Sequence, residues 1–265
     1  MKSAFRRALR GAGWAAVWAA LAWTALGAGG LGAARAAEAD MEAILRAVDA
    51  QSNFEDADFS AVMTIISQDP EKGTEKMVVR QFRRDREEKF LLLIQEPKAN
   101  RGQGYLMDGD SLWFYDPESR QFSHTSLKEH FAGSDARTDD FSRSSLADDY
   151  RVAAWEPGRL GIYDVYIIEL EAVRDDVPDP FLKIWVTQDT NLVLKMESYS
   201  LTKRLMRTAL FPNYARVGDK VIPRVMLFVD ELVEGRQTQV TLEQISLSDL
   251  SDTVFTKAFV ERAAR

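Results

Sequence analysis

The stretch from Gly104 to Tyr115 constrains this chain more than any other. It runs Gly104-Tyr105-Leu106-Met107, then Asp108-Gly109-Asp110, then Leu112-Trp113-Phe114-Tyr115. Asp and Gly tolerate the positive φ of tight hairpin turns, so two apolar runs around Asp-Gly predict a β-hairpin. Successive side chains of a strand point to opposite faces. Four large apolar residues in a row therefore put bulk on both faces of the second strand. Such a strand is either buried on both sides or lines an apolar space.

Hairpin-like patterns recur along the chain. Phe59, Ala61, Met63 and Ile65 alternate with Ser60, Val62, Thr64 and Ile66, and Asp69 to Gly73 makes a turn into a return strand over 74–84. In that strand Met77, Val79 and Gln81 oppose Val78, Arg80 and Phe82. Further strands are expected over 90–94, 121–125, 163–173, 182–187, 192–201, 208–214, 221–232 and 237–247. Helices are few. Asp40 is placed to cap one in which Met41, Ile44, Leu45 and Val48 share a face, ending near Ser52-Asn53. In the irregular stretch 126–149, Thr138 is placed to cap a second, short one carrying Phe141, Ser145 and Leu146. A last segment, 254–259, reads as a short helix or a tail.

About eleven strands with hairpin links and no strand–helix alternation predict one large, strongly curved antiparallel sheet or barrel with short helices on it. Neither an internal repeat nor a flexible linker divides the chain. The expected organisation is an export signal over 1–36 followed by a single domain over 37–265.

The signal reading rests on a basic head, Met1 to Arg10, a charge-free stretch from Gly11 to Ala34, and small residues at Ala34 and Ala36 around Arg35. A retained membrane anchor is the rival reading. With no cysteine in the chain, neither disulfides nor thiolate metal sites are available, and the periplasm is the expected compartment. Five basic residues precede Ala36, leaving 29 of the 34 against all 41 acids, a net charge of −12. That balance argues against a nucleic-acid partner.

Catalytic patterns are missing. The two histidines, His124 and His130, flank Glu129 without an ordered third ligand, so no metal site is expected. There is no Gly-x-Ser-x-Gly elbow, phosphate loop or dinucleotide fingerprint, and no cofactor is expected. The acids Asp175, Asp176 and Asp179 lack the ligand spacing of a calcium loop and read as a solvated loop, and the acid-rich 38–58 region reads as a solvent face.

The apolar inventory is richer. Strands 90–94, 112–115 and 205–211 carry apolar bulk on both faces, and in a barrel one face must meet a covering helix or an internal cavity. Met63, Met77, Met107, Met196 and Met206 suit an adaptable lining. Read from strand pattern, the candidate cavity residues are Met63, Ile65, Leu91, Leu93, Tyr105, Met107, Trp113, Tyr115, Trp185, Met196 and Phe211. Ile44, Leu45, Val48, Phe141 and Leu146 are the candidate cover.

The run Glu96-Pro97, Gly102-x-Gly104-Tyr105-Leu106, Gly109-Asp110-x-Leu112-Trp113-x-Tyr115-x-Pro117 resembles the LolA-like outer-membrane lipoprotein-sorting proteins. Arg80-Gln81-Phe82-Arg83-Arg84, Gly133-Ser134, Phe141-Ser142, Asp149-Tyr150, the Tyr163–Leu170 strand, Pro223 and Phe255-Thr256 are similar to that family's pattern as well. The resemblance implies a half-open antiparallel barrel with covering helices around a cavity for acyl chains. It implies a periplasmic, non-enzymatic carrier of a lipoprotein's acyl chains or of free lipid, working with an inner-membrane lipid or lipoprotein transporter and an outer-membrane acceptor. A lipid-sensing regulator of a membrane signalling protein is the alternative. A hydrolase using His124 or His130 is a third class.

Overall fold

The computed structural model describes residues 40–175 and 177–265. The expected export signal lies outside them. Thirteen strands form a single antiparallel sheet. They are β1 Phe59–Asp69, β2 Gly73–Arg84, β3 Lys89–Glu96, β4 Gly104–Asp108, β5 Ser111–Asp116, β6 Gln121–His124, β7 Tyr150–Leu160, β8 Tyr163–Ala172, β9 Phe181–Thr187, β10 Val193–Tyr199, β11 Leu205–Val217, β12 Lys220–Asp230 and β13 Gln237–Ser246. Their order across the sheet is β6-β5-β4-β3-β2-β1-β13-β12-β11-β10-β9-β8-β7. The chain thus starts mid-sheet, meanders to the β6 edge, crosses to the β7 edge, and meanders back until β13 pairs with β1. The edges do not pair, so the barrel is half-open, and the one long crossing, 125–149, bridges them.

One strand has no counterpart among those expected: β7 contains Pro157 and Gly158 and has no alternating pattern. Proline lacks the N–H of an interior strand, and β7 tolerates it as an edge strand.

The first helix, α1 Met41–Ser52, has the expected bounds. The Asp40 side chain accepts a hydrogen bond from the Ala43 N–H at 3.0 Å, satisfying one of the free donors of the first turn. Its apolar stripe, Met41, Leu45 and Val48, packs with Leu146, Ile168, Leu170 and Ile184, so α1 lies on the inner face of β7 to β9. The second expected helix is two pieces: a 3-10 turn, Thr138–Phe141, and α2 Leu146–Asp149. Ser142 between them is extended, and Thr138 sits inside the turn, buried, with Arg137 at the cap position.

A second inner cluster joins alternate residues of β1 to β5 and of β11 to β13 to Phe131 and Phe141 from the crossing segment. On the opposite, outer face, Val254, Phe255 and helix α3 Lys257–Ala263 cover β2 to β5. The doubly apolar strands are explained by this double cover. In β5, Leu112 and Phe114 face inward while Tyr115 packs outward; in β4, Tyr105 and Met107 face inward and Leu106 outward. Burying each such side chain contributes about 1.5–3 kcal/mol.

The family-like residues mostly serve that outer layer. Gly102 has φ +85°, and a Cβ there would lie 2.9 Å from the Ala264 carbonyl oxygen. A Cβ on Gly104 would lie 3.1 Å from Val260. Only glycine lets α3 approach the sheet this closely. Arg84 binds the buried Asp58 through Nε at 3.0 Å and Nη2 at 2.9 Å, and its guanidinium lies 5.0 Å from the Phe255 ring centre. Burial works to raise the Asp58 carboxyl, but Arg84, the Leu250 N–H and Arg86 hold it below its usual value. The 38–58 region is therefore not wholly a solvent face: besides the buried stripe of α1, the acid Asp58 is buried, made stable by a guanidinium 26 residues away.

Candidate functional site

Between the two inner clusters the sheet encloses an open-mouthed cavity of ≈ 970 Å³. Val48 from α1, Phe141 and Leu146 from the crossing segment, and Met196, Ala209, Phe211, Met226 and Phe228 from β10 to β12 contribute its apolar wall. Alternation places these sheet residues on one face, and α1 and the crossing segment roof it.

The roof is stitched by polar contacts. Asp49 of α1 accepts from the N–H groups of Leu146 at 3.0 Å and Ala147 at 2.8 Å, and from the Ser144 hydroxyl. Asn53 and Ser144 exchange two hydrogen bonds of 2.7 Å. The Gln81 side chain of β2 donates to the Phe141 carbonyl at 2.7 Å, tying the crossing segment to the sheet. On the other side Phe131 packs against Tyr105, ring centres 4.9 Å apart. Burial pushes the Tyr105 phenol above its usual pKa.

Of the residues expected to line a cavity, Met107, Met196 and Phe211 do so, with Val48, Phe141 and Leu146 from the expected cover. Met63, Ile65 and Tyr105 lie on the same face but in the packed cluster beside the cavity. Leu45 packs under α1, and Ile44 is half-buried at the margin of that cluster. Five placements are corrected. Leu91 and Tyr115 pack in the outer cluster beneath α3. Leu93 faces Gly104 on that same side, its Cδ1 3.7 Å from where a Cβ of Gly104 would be. Trp113 stacks on His124, ring centres 3.6 Å apart, with Lys257 Nζ of α3 3.2 Å from its ring centre. Trp185 opposes the inward Ile184 and Val186 and holds Lys195 Nζ 4.4 Å from its ring. Bulk alone does not say which face of a strand is inside.

The sequence reading missed a charged group in the wall. Arg207 of β11 binds Asp140 through both terminal nitrogens, Nη1 at 3.0 Å, and is 7% exposed. Arg137 binds Asp179 at 2.8 Å, which also accepts from Ser198 at 2.9 Å; the Tyr150 hydroxyl donates to the Asp179 carbonyl at 3.0 Å. Asp179 is thus buried and paired rather than solvated. Burial, with Asp179 and Asp139 nearby, raises the Tyr150 phenol. Burial opposes the charge on Arg137, but Asp179 and its neighbours hold its pKa above the usual value. Asp139 has no such partner: burial, then the repulsion of Asp140, push its carboxyl up to about 7 despite Arg207 and Arg137. The only signals for this group in the sequence are Asp139-Asp140 and an arginine in an apolar strand.

Among the described residues, no three His, Cys, Asp or Glu side chains gather to hold a metal ion. His130 Nδ1 sits 2.8 Å from the Ser134 carbonyl. No described helix is long and apolar enough to cross a membrane.

Comparison with known proteins places this architecture. A LolA superfamily protein from Nitrosomonas europaea is 25% identical over 82% of this chain and 98% of its own, with a TM-score of 0.72. A domain described as an outer membrane lipoprotein-sorting protein, from Vibrio parahaemolyticus, is 20% identical over 83% and 98%, TM-score 0.74. A DUF1329 family protein from Desulfovibrio piger is 18% identical over 83% and 98%, TM-score 0.73. No curated protein sequence matches the chain. A family model described as "Uncharacterized protein" matches residues 86–262, from the β2–β3 connection into α3. The chain belongs to that family, and its half-open, roofed sheet is similar in fold to LolA superfamily proteins.

Proposed function

We propose that residues 37–265 are a single lipid-carrying domain that binds the acyl chains of a lipoprotein or free lipid and moves them through the periplasm between inner and outer membranes. The roofed cavity of ≈ 970 Å³ is the observation that carries this reading. Pockets for small molecules span roughly 300–1,000 Å³, so this one is at the large end. Each methylene moved from water into it contributes about 0.8 kcal/mol, so a chain of about sixteen carbons gains on the order of 12 kcal/mol before ordering costs. No reaction is needed for that task. An inner-membrane lipid or lipoprotein transporter would load the carrier and an outer-membrane acceptor would unload it. The lipoprotein-sorting description of the Vibrio relative supports lipoprotein acyl chains as a cargo. α1 and 126–149 act as the gate, because they lie over the cavity wall and contribute Val48, Phe141 and Leu146 to it.

Vesicle transfer tests the reading. A fluorescent acyl lipid in donor vesicles should pass to acceptor vesicles at a rate that rises with the concentration of this chain. Transfer no faster than between vesicles alone would sink it.

A further inference from the structure

The charges of the cavity wall do not pair off. Arg137, Asp139, Asp140, Asp179 and Arg207 meet where the crossing segment lies on β10 and β11. Arg207 is matched to Asp140 and Arg137 to Asp179. Elsewhere in the wall Arg83 is matched to Asp85 and Arg143 to Glu88. Lys128, Asp110 and Asp148 of the lining are exposed to solvent and make no ion pair among the described residues; of the charges withdrawn from solvent, Asp139 is left over. It lines the cavity, and among the described residues no donor reaches its carboxyl; Oδ1 is buried with no partner. Arg207, also in the wall and almost wholly buried, keeps a buried Nε–H with no acceptor.

Buried polar groups nearly always find partners, and a partnerless acid is costly in an apolar wall. A cavity meant for hydrocarbon alone gains nothing from it. Above about pH 7, where Asp139 ionises, the unmatched charge is negative, so it favours a ligand group that donates and disfavours one that is an anion. The adjacent Nε–H offers a place for a lone pair of the same ligand group.

We propose that Asp139 and Arg207 form a polar subsite inside the cavity that selects amphiphiles whose polar end donates a hydrogen bond, a hydroxyl, amide N–H or ammonium, over those ending in an anion. The subsite rests on the carrier reading and assigns the chemical class of its cargo.

Three compounds with one chain and different ends test it: dodecylamine, dodecanol and laurate, each displacing the neutral fluorescent probe N-phenyl-1-naphthylamine from the purified chain. The amine and the alcohol should bind on the order of tenfold more tightly than laurate, the worth of one hydrogen bond to a charged group. Asp139→Asn, which removes the negative charge, should erase most of the advantage of the amine over laurate. Asp139→Leu should bring laurate level with both, and each variant should still bind the probe. Equal affinities in the wild-type chain, or a preference surviving both substitutions, would mean a carboxyl satisfied by water and would overturn the subsite alone. If none of the three displaces the probe, the carrier reading falls with it.

Discussion

Replacing Asp139 by asparagine should stabilise the chain, by an amount that grows with pH. Burial and the neighbouring Asp140 lift the Asp139 carboxyl from 3.8 to about 7 in the folded chain. The folded state therefore holds this proton more tightly than the unfolded one does. Stability is undiminished below the unfolded value and is lost as pH rises toward the folded value, because the unfolded state ionises first. Between about pH 5 and pH 7 the loss is about 1.4 kcal/mol per unit, so at most about 3 kcal/mol, less whatever water at the open mouth screens. Asparagine has the same shape and never ionises. Titrating groups remote from residue 139 are common to both chains and cancel in the difference. Urea unfolding of both chains at about pH 5 and pH 8.5 measures it: the wild type should weaken by up to about 3 kcal/mol relative to the variant. An identical stability difference at the two pH values would refute the unpaired, buried carboxyl.

Two further substitutions probe the supports of the cavity. Gly102→Ala forces a side chain onto φ +85° and into the Ala264 backbone 2.9 Å away; it should cost roughly 1–3 kcal/mol in thermal unfolding, and an unchanged melting temperature would contradict the close docking of α3. Asp49→Ala removes the carboxylate that holds Ser144, Leu146 and Ala147 to α1. It should lose about 1–2 kcal/mol and speed amide exchange in 144–149, whereas unaltered exchange there would remove Asp49 from the roof.

Local chemistry made much of this fold legible. Asp40 and the Met41, Leu45, Val48 stripe marked the start of α1 and, to within a residue, its end, and the Asp108-Gly109 and Asp69–Gly73 turns set two hairpins, because caps and turns depend on neighbours in sequence. The cavity was harder. Period-two alternation separates two faces without naming them, and β3 to β5 are covered outside by α3, whose Val260 lies some 150 residues beyond. That is why Tyr115 and Leu91 looked like cavity wall and proved to be packing beneath a helix. The buried charges were hidden for the same reason. Asp140 finds its guanidinium 67 residues along the chain, and Asp179 finds Arg137 42 residues back, so Asp179 alone resembled a solvated loop and Asp140 drew no reading of its own. Family-like positions such as Gly102, Gly104 and Arg84 turned out to maintain the outer layer that shapes the sheet, which explains why a fold can be recognised from them while the cargo cannot.

The central claim, a roofed cavity that carries an amphiphile, is tested most directly by mass spectrometry of what the chain retains. The protein would be purified from its native cells without detergent, and native spectra recorded before and after denaturation. A roughly stoichiometric apolar molecule with a hydroxyl, amide or amine end, released on unfolding, is the predicted result. A chain that emerges empty, and takes up no acyl compound when offered one, would contradict the account.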